Sequence, residues 1–599
     1  MMSVKRNYIK HIQFFLGLLG FLCLMIFQVH GQGGASKKEL FPREKLYVHV
    51  NSTTVFVGEY LLYSLYCLDE ETLNPSRISK IAYVDLISED GKRVFQQKVR
   101  LNNGRSYSDF FVPTNVASGN YKLIAYTQWM QNFDNKEFFR QNITVINPYT
   151  NDQKVFLKKN TDSLVLGSSK VGKPALSKNN SVSNPNSKLA LQLSSSKFGV
   201  REKVICALVP KSPEILEYNI SISVRKTPSL SSPSPVSSTS LKMTNRKDGA
   251  KGSFNQNQYS YLPEIRGELL TGRILDKLTL KPVKAVGVSL SIPGYNSHFK
   301  TAHTNSDGTF HFSIQNEYEG ETAVVQALGD ENEAYKLEIL DSQRPILKEE
   351  DFYSFKLTEE MESYILERSF HNQIENAFFS VKPDTVQTVS AETPFFLENS
   401  LEYILDDYTR FPTLRETVVE ILENLWIKRE SADKRTFKVR VNPPYAESDK
   451  KPLVLMDGLQ VLNHENLMDY NARQIEKISV GRGRYVFGKE VYDGVISIET
   501  FKQDYNFVSN GTSSIGIQLV RPQARKKYFM QEYLGNEISS DQRIPDYRYQ
   551  LLWMPKVFID KPKSFSFFTS DVKGEFEIKV EGFSKNGKPI SLRETIIVE

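Results

Sequence analysis

The feature that most constrains this chain is a hydrophobic period of two, broken at short intervals by turn signals. From Lys45 to Ile146, Leu46, Val48 and Val50 alternate with polar or aromatic neighbours, and Tyr121, Leu123 and Ala125 repeat the pattern. Glu89-Asp90-Gly91-Lys92 and Asn102-Asn103-Gly104 supply turns between such runs. Alternating side chains point to opposite faces of a strand, so these runs predict an antiparallel sandwich over residues 40–148. Strand candidates continue to the C-terminus, interrupted by two polar stretches that cannot bury enough apolar area to order themselves. One, over 149–188, carries seven Lys against Asp152 and Asp162; the other, over 227–260, contains SLSSPSPVSSTS. Both are expected to be solvated linkers.

Between the linkers lie three strand candidates, LALQL from Leu189, EKVICALV from Glu202 and YNISISV from Tyr218. Three strands leave a sandwich open on one face. Four more follow near the C-terminus: YRYQLLWMP from Tyr547, SFSFFTS from Ser564, EFEIKVEGF from Glu575 and the terminal ETIIVE. Residues 189–226 and 545–599 are therefore expected to form one discontinuous immunoglobulin-like sandwich, with Val204 near Ile578.

The chain starts with a leader. Lys5, Arg6 and Lys10 precede an apolar run from Ile12 to Val29, and Val29-His30-Gly31 suits cleavage after Gly31, so a signal peptide over 1–31 is expected. The alternative is a signal anchor kept in the membrane, less favoured because the run is short for a span and no stop-transfer charge cluster follows it. Cys23 follows Leu22 inside the apolar run, so lipidation is not expected there. Cys67 and Cys206 remain, in segments assigned to different sandwiches, and are expected to be two buried free thiols. The net charge of +6 is concentrated in the leader and the first linker, so the folded parts are near neutral and no nucleic-acid footprint is expected.

Within 261–345, Thr304-Asn305-Ser306-Asp307-Gly308-Thr309-Phe310 predicts a hairpin, with Phe310 and Phe312 on one face. It lacks the acidic repeat and closing Glu of a calcium loop. Residues 346–410 read as a helical connector, because Met361, Ile365, Leu366, Phe370 and Ile374 recur at three- and four-residue spacing. A second helix from Thr413 would align Leu414, Val418, Ile421, Leu422 and Leu425, started by a Thr413–Glu416 capping box. Strands resume at FKVRVN, PLVLMDG, IEKISVG and GVISIET, making 411–505 an α+β module. Residues 506–544 are left as a connecting segment.

Three resemblances accompany these patterns. EKLYVHVNSTTVFVGEYLLYSLYCLD, YVDLISEDGKRV and SGNYKLIAYTQWMQNF resemble a macroglobulin-type domain of exported Bacteroidota proteins. GELLTGRILDKLTLKPV with TNSDGTFHF resembles the carboxypeptidase regulatory-like domain. FPTLRETVVEIL, PLVLMDGLQV and IEKISVGRGRYVFGKEVYDGVISIET resemble the plug of TonB-dependent receptors, with Asp457-Gly458 at its turn and Gly488 to Ile496 in its strand. They imply a multidomain, mainly β chain of immunoglobulin-like or macroglobulin-like sandwiches plus one α+β plug-like domain. A receptor barrel of about 22 strands needs several hundred residues. Too few follow Asp504, so a plug-like module without its own barrel is expected. Neither Cys67 nor Cys206 has the Gln three residues on that a macroglobulin thioester requires.

Catalytic patterns are thin. His303 and His311 flank the predicted hairpin as a possible metal pair with no third ligand. His464-Glu465 lacks the second His of a zinc helix, Met468 standing in its place. Gly481-Arg482-Gly483-Arg484 is mis-spaced for a dinucleotide loop and reads as a hairpin turn. GTSSIG is no nucleophile elbow, and Asp406-Asp407 would point apart. No catalytic, cofactor or metal residue is assigned, and binding residues are left unknown. The expectation is a non-enzymatic binding or scaffold protein of the cell envelope, exported to the periplasm or outer membrane. Its partners would be an outer-membrane barrel or other envelope proteins, engaged by protein contacts rather than a transmembrane span. The linker from Lys154 to Lys188 could add attraction to anionic headgroups, though a spacer role is preferred. Alternatives are an envelope hydrolase using His371 or Glu375, and a carbohydrate- or peptide-binding module using Tyr547, Tyr549 and Trp553, aromatics otherwise expected in the C-terminal sandwich core.

Overall fold

Alternation becomes stacked sheets, and the chain is mainly β. The computed structural model describes residues 42–150, 188–211, 217–243, 261–294, 297–329, 331–340, 345, 350–387, 394–431, 434–445, 448–505, 511–533 and 544–599. Contacts divide the chain into Met1–Arg43 and Glu44–Glu599; the architecture below belongs to the second unit. The leader, the cleavage position and the basic stretch after Thr150 lie outside the described residues. Among the described residues no helix is long and apolar enough to cross a membrane.

In the first sandwich, Glu44–Val50, Tyr60–Asp69 and Arg105–Phe111 form a three-stranded sheet. It faces a five-stranded sheet of Thr54–Phe56, Phe139–Ile146, Gly119–Tyr126, Ile81–Ser88 and Arg93–Arg100. Val48, Leu65, Val84 and Leu123 lie in the shared core. The polar and aromatic alternates are buried as well. Tyr47 packs edge-on against Phe583 at 5.7 Å, and the His49 ring lies 2.7 Å from Ser221 Oγ. The smaller sheet therefore has no solvent face, because a second sandwich covers it.

That second sandwich draws on distant segments. Lys203–Pro210 pairs with Lys563–Phe568 on one side and with Leu189–Leu193 on the other. Tyr218–Lys226 pairs with Gly574–Ser584 and Gln550–Ile559, and Pro589–Val598 continues that sheet. Val204 and Ile578 are buried in the same core. Cys67 and Cys206 are both buried and free.

The Ser-rich stretch departs from its expectation as a solvated linker over residues 228–243. Ser238 is fully buried, and its N–H and hydroxyl donate to the Glu581 carboxylate at 2.9 and 2.7 Å. Thr53 Oγ1 donates to Pro233 O at 2.6 Å, and Val236 N–H to Gln141 Oε1 at 2.7 Å. Polarity here satisfies buried groups of two sandwiches instead of water. Residues 244–260 lie outside the described ones.

The third sandwich has Thr309–Ile314, Glu268–Asp276 and Tyr335–Leu340 in one sheet. The other sheet orders His298–His303, Gly287–Ile292, Thr322–Ala327 and Ser514–Gln518. Two expectations are corrected here. The Asp307-Gly308 turn passes between sheets instead of closing a hairpin; Asn305 and Asp307 accept from Thr309 N–H at 2.8 and 3.2 Å, which closes the turn without strand pairing. Phe310 and Phe312 nonetheless share the buried face. The stretch expected to connect, 506–544, supplies the edge strand Ser514–Gln518 and a short pairing of Lys526–Lys527 with Thr385–Val386.

The α+β module is a five-stranded sheet ordered Leu401–Ile404, Ile475–Phe487, Glu490–Thr500, Leu453–Met456, Leu459–Gln460. Leu401–Ile404, assigned to the helical connector, is its edge strand. The helix after Thr413 spans only Leu414–Ile421. The Thr413 hydroxyl accepts from Glu416 N–H at 3.2 Å, and Leu425 begins a strand paired with Lys434–Val439. Leu414, Val418, Leu422 and Leu425 all stay buried, so the apolar stripe is right although the helix ends early.

Candidate functional site

The helix Glu362–Ala377 carries the residues that would have made a hydrolase, and its geometry gives them other work. The apolar periodicity holds only in part: Met361 and Ile365 pack against a small core that includes Phe56 and Ile146, whereas Leu366 and Phe370 are each 58% exposed. Arg368, Asn372 and Asn376, spaced by four, form the docking stripe. Asn372 and Asn376 donate from Nδ2 to the carbonyls of Val57 and Gly58, each at 2.9 Å. Arg368 makes two 2.8 Å bonds to Glu59, and its guanidinium lies 4.2 Å from the Phe56 ring centre. Arg225 reaches the same carboxylate at 2.8 Å.

One buried carboxylate thus serves two buried guanidiniums. Burial alone would raise Glu59, but Arg368 and Arg225 overcome it and hold the carboxyl below its ordinary value. Burial pulls Arg225 down, with Arg368 adding repulsion. Gly58 makes the approach possible. It sits at φ +84°, where a Cβ would lie 2.7 Å from Asn372 Nδ2. Sequence reasoning missed this stripe because an i, i+4 row of polar residues reads as a solvated helix face.

The hydrolase candidates occupy another part of the helix surface. His371 stacks on Tyr547 with centroids 4.2 Å apart, and burial lowers its pKa. Both Glu375 oxygens are engaged: Lys382 Nζ donates at 3.1 and 3.0 Å and Tyr547 N–H at 2.7 Å. Burial raises the Glu375 carboxyl, opposed by Lys382. Lys382 also approaches Asp546 at 3.5 Å, and Arg548 pairs with Asp546 at 2.6 Å. A cleft of about 210 Å³ lies alongside, lined by Tyr60, Glu375, Lys382, Tyr547 and Trp553 among others. The arrangement ties the helix to the C-terminal segment by charge.

Of the three C-terminal aromatics, Tyr547 and Tyr549 pack against the second sandwich core. Trp553 corrects the expectation: it packs with Leu62 and Tyr528, outside that core, 5.3 Å from the His49 ring. His303 and His311 stand on strands of different sheets. His303 Nε2 lies 2.9 Å from Glu490, and His311 Nδ1 lies 2.9 Å from Thr271 Oγ1. Among the described residues no group of three or more His, Cys, Asp or Glu could hold a metal. His464 is buried, with Nδ1 accepting from Phe437 N–H at 3.2 Å. Burial, aided by three nearby lysines, pushes its pKa down to about 4, so the ring is a neutral core acceptor.

In the α+β module, Gly481-Arg482-Gly483-Arg484 is a bulge within the strand Ile475–Phe487, not a turn. The hairpin closes at Gly488-Lys489, between the paired Phe487 and Glu490. Asp457 and Gly458 have φ +48° and +84°, a two-residue turn with both centres left-handed. The Asp457 carboxylate accepts from Thr500 N–H and Oγ1, each at 2.7 Å. This module exposes several large apolar side chains. Eight of the twenty-six exposed large apolar residues among those described fall between Leu401 and Phe501, including Leu401, Ile404, Trp426 and Val486. Leu401 and Ile404 sit on the edge strand, whose outer side pairs with no strand among the described residues.

No protein-family model and no curated protein sequence matches the chain. Solved structures that it is similar to include α2-macroglobulin from Salmonella, at 9% identity and a TM-score of 0.22, covering 93% of this chain and 39% of that one. Escherichia coli α2-macroglobulin activated by porcine elastase gives the same identity and TM-score, with 93% and 44% covered. A tetra-tandem repeat from the extending region of a large adhesion protein gives 9% identity, a TM-score of 0.12, and coverage of 93% and 100%. The chain spans less than half the length of either α2-macroglobulin. These TM-scores carry no argument about function.

Proposed function

We propose that this is a non-enzymatic binding and scaffold protein of the bacterial cell envelope, an accessory component of an outer-membrane protein complex that docks through its α+β module. The observation that carries the reading is the edge strand Leu401–Ile404, which exposes Leu401 and Ile404 and has an outer side that no described strand pairs. The export reading rests on the leader, and the choice of a membrane barrel as partner rests on the plug-like sequence resemblance. The side chains considered for hydrolysis support a non-enzymatic role: His371 is stacked against Tyr547 and Glu375 is neutralised by Lys382.

The test is affinity purification of the tagged full chain from detergent-solubilised outer membranes. A barrel protein should co-purify at a fixed ratio and be lost from the Leu401→Asp/Ile404→Asp variant, both positions being surface-exposed. Recovery as a lone soluble monomer, or a partner retained by the variant, refutes this mode of docking.

A further inference from the structure

A cleft distinct from the docking surface has the makings of a ligand site. It encloses about 740 Å³ and is lined by Lys80, Arg100, Arg266, Lys300 and Arg525, against two carboxylates, Glu317 and Glu398. That volume falls in the range of small-molecule sites. Several other cations of this protein are tied to carboxylates, as in the Glu59 and Asp546 networks. In the cleft none of the five makes an ion pair with a described residue. Arg100 donates only to the carbonyls of Gln315 and Asn316, at 2.9 and 2.8 Å, and its buried Nε has no partner.

The charges are held at an energetic cost. Burial by itself lowers Lys300. Burial also lowers Arg100; Glu268 and Glu317 oppose this, while Arg525 adds repulsion. A smaller cleft continues from Arg100 and Arg525 to Arg105 and Lys556, and Lys556 is lowered by burial and then by Arg105 and Arg525. Converging cations of this kind favour an anion, which removes their mutual repulsion.

The remaining lining narrows the class. Phe395 is 59% exposed, and its ring is braced by Phe396 and Phe487 at 5.4 and 5.5 Å. It offers a rigid apolar face to the C–H face of a sugar ring. Asn102, Asn103, Gln315 and Asn316 bring amides to the same cleft. Glu317 and Glu398 would repel a polyphosphate, which is almost fully ionised at neutral pH and has no hydroxyl to offer them. They accept readily from sugar hydroxyls. From this combination of unpaired cations, exposed aromatic, amides and two acceptor carboxylates, we infer that the cleft binds an acidic oligosaccharide, a short sugar chain bearing carboxylate or sulfate groups.

Titration calorimetry on the full chain tests this. The probes are tetragalacturonate, sialyllactose and a heparin tetrasaccharide, with maltotetraose, tetrapolyphosphate and tetraglutamate as controls. At least one acidic sugar should bind about tenfold or more tightly than every control, since several charge-assisted hydrogen bonds and the aromatic face act together. The Lys300→Gln/Arg525→Gln variant should weaken it by about tenfold, and Phe395→Ala by severalfold, at unchanged thermal stability. Neither Lys300 nor Arg525 makes a side-chain hydrogen bond or ion pair within the described protein, so the variants should fold. Three results would overturn the inference: no acidic sugar binding, tetrapolyphosphate or tetraglutamate binding as tightly as the best sugar, or binding indifferent to both variants.

Discussion

The Glu59 node makes an ordering prediction that contact counting would not. Glu59 is one anion between two buried guanidiniums, at 2.8 Å from each. Arg368→Met removes one cation, keeps the apolar stem over Phe56, and leaves Glu59 still paired with Arg225. Breaking a buried pair costs about 3–5 kcal/mol when a charge is stranded; with Arg225 in place the loss should fall near the bottom of that range, about 3 kcal/mol. Glu59→Gln strands two like charges together and should cost the upper end, about 5 kcal/mol. In a multi-module chain this appears as local opening of Glu362–Ala377, not a single unfolding midpoint. Hydrogen exchange of the helix amides is the assay. Protection should drop on the order of a hundredfold in Arg368→Met and further in Glu59→Gln, at about 1.4 kcal/mol per factor of ten. Equal effects, the reverse order, or changes below about threefold in both would refute the view that the helix is docked by this charge network.

Two further predictions use the same helix and a separate carboxyl. Gly58→Ala should cost about 2–3 kcal/mol in helix protection, from the left-handed backbone and the Asn372 clash together. Gly91→Ala, at φ +79° in the turn between Ile81–Ser88 and Arg93–Arg100 with nothing within 4 Å of the added Cβ, should cost about 1–2 kcal/mol in that hairpin and leave helix protection unchanged; helix protection unchanged in Gly58→Ala as well would remove the close-approach argument. Glu264 is buried, accepting from Leu269 N–H at 3.0 Å, and burial pushes its carboxyl up to about 8. Because the folded state holds this proton more tightly than the unfolded one, its stabilising contribution is full below the ordinary value of 4.5 and is lost as pH rises toward 8. Thermal melts from about pH 5 to about pH 9 should show the wild type losing stability relative to Glu264→Gln over that window, and parallel curves would contradict the assignment.

What the sequence by itself determined was local. Alternation placed the strands, Asp457-Gly458 placed a tight turn, and Thr413 placed a helix start, because each depends on neighbours within a few residues. The stripe Leu414, Val418, Leu422 and Leu425 was legible even though the helix ends at Ile421, since burial follows apolarity in either conformation. Tertiary structure decided whatever depends on a distant partner. Arg368, Asn372 and Asn376 look solvated until the carbonyls of Val57 and Gly58 and the Glu59 carboxylate stand opposite them. Ser238 looks like linker until Glu581 meets it, and Ser514–Gln518 becomes a strand because Thr322–Ala327 offers an open edge. The basic cleft is the clearest case: Lys80, Arg266, Lys300 and Arg525 are scattered along the sequence, and no local pattern records that folding brings them to line one cleft. Polar residues serve water or a buried partner equally well in sequence, and only the packing of remote segments selects between them.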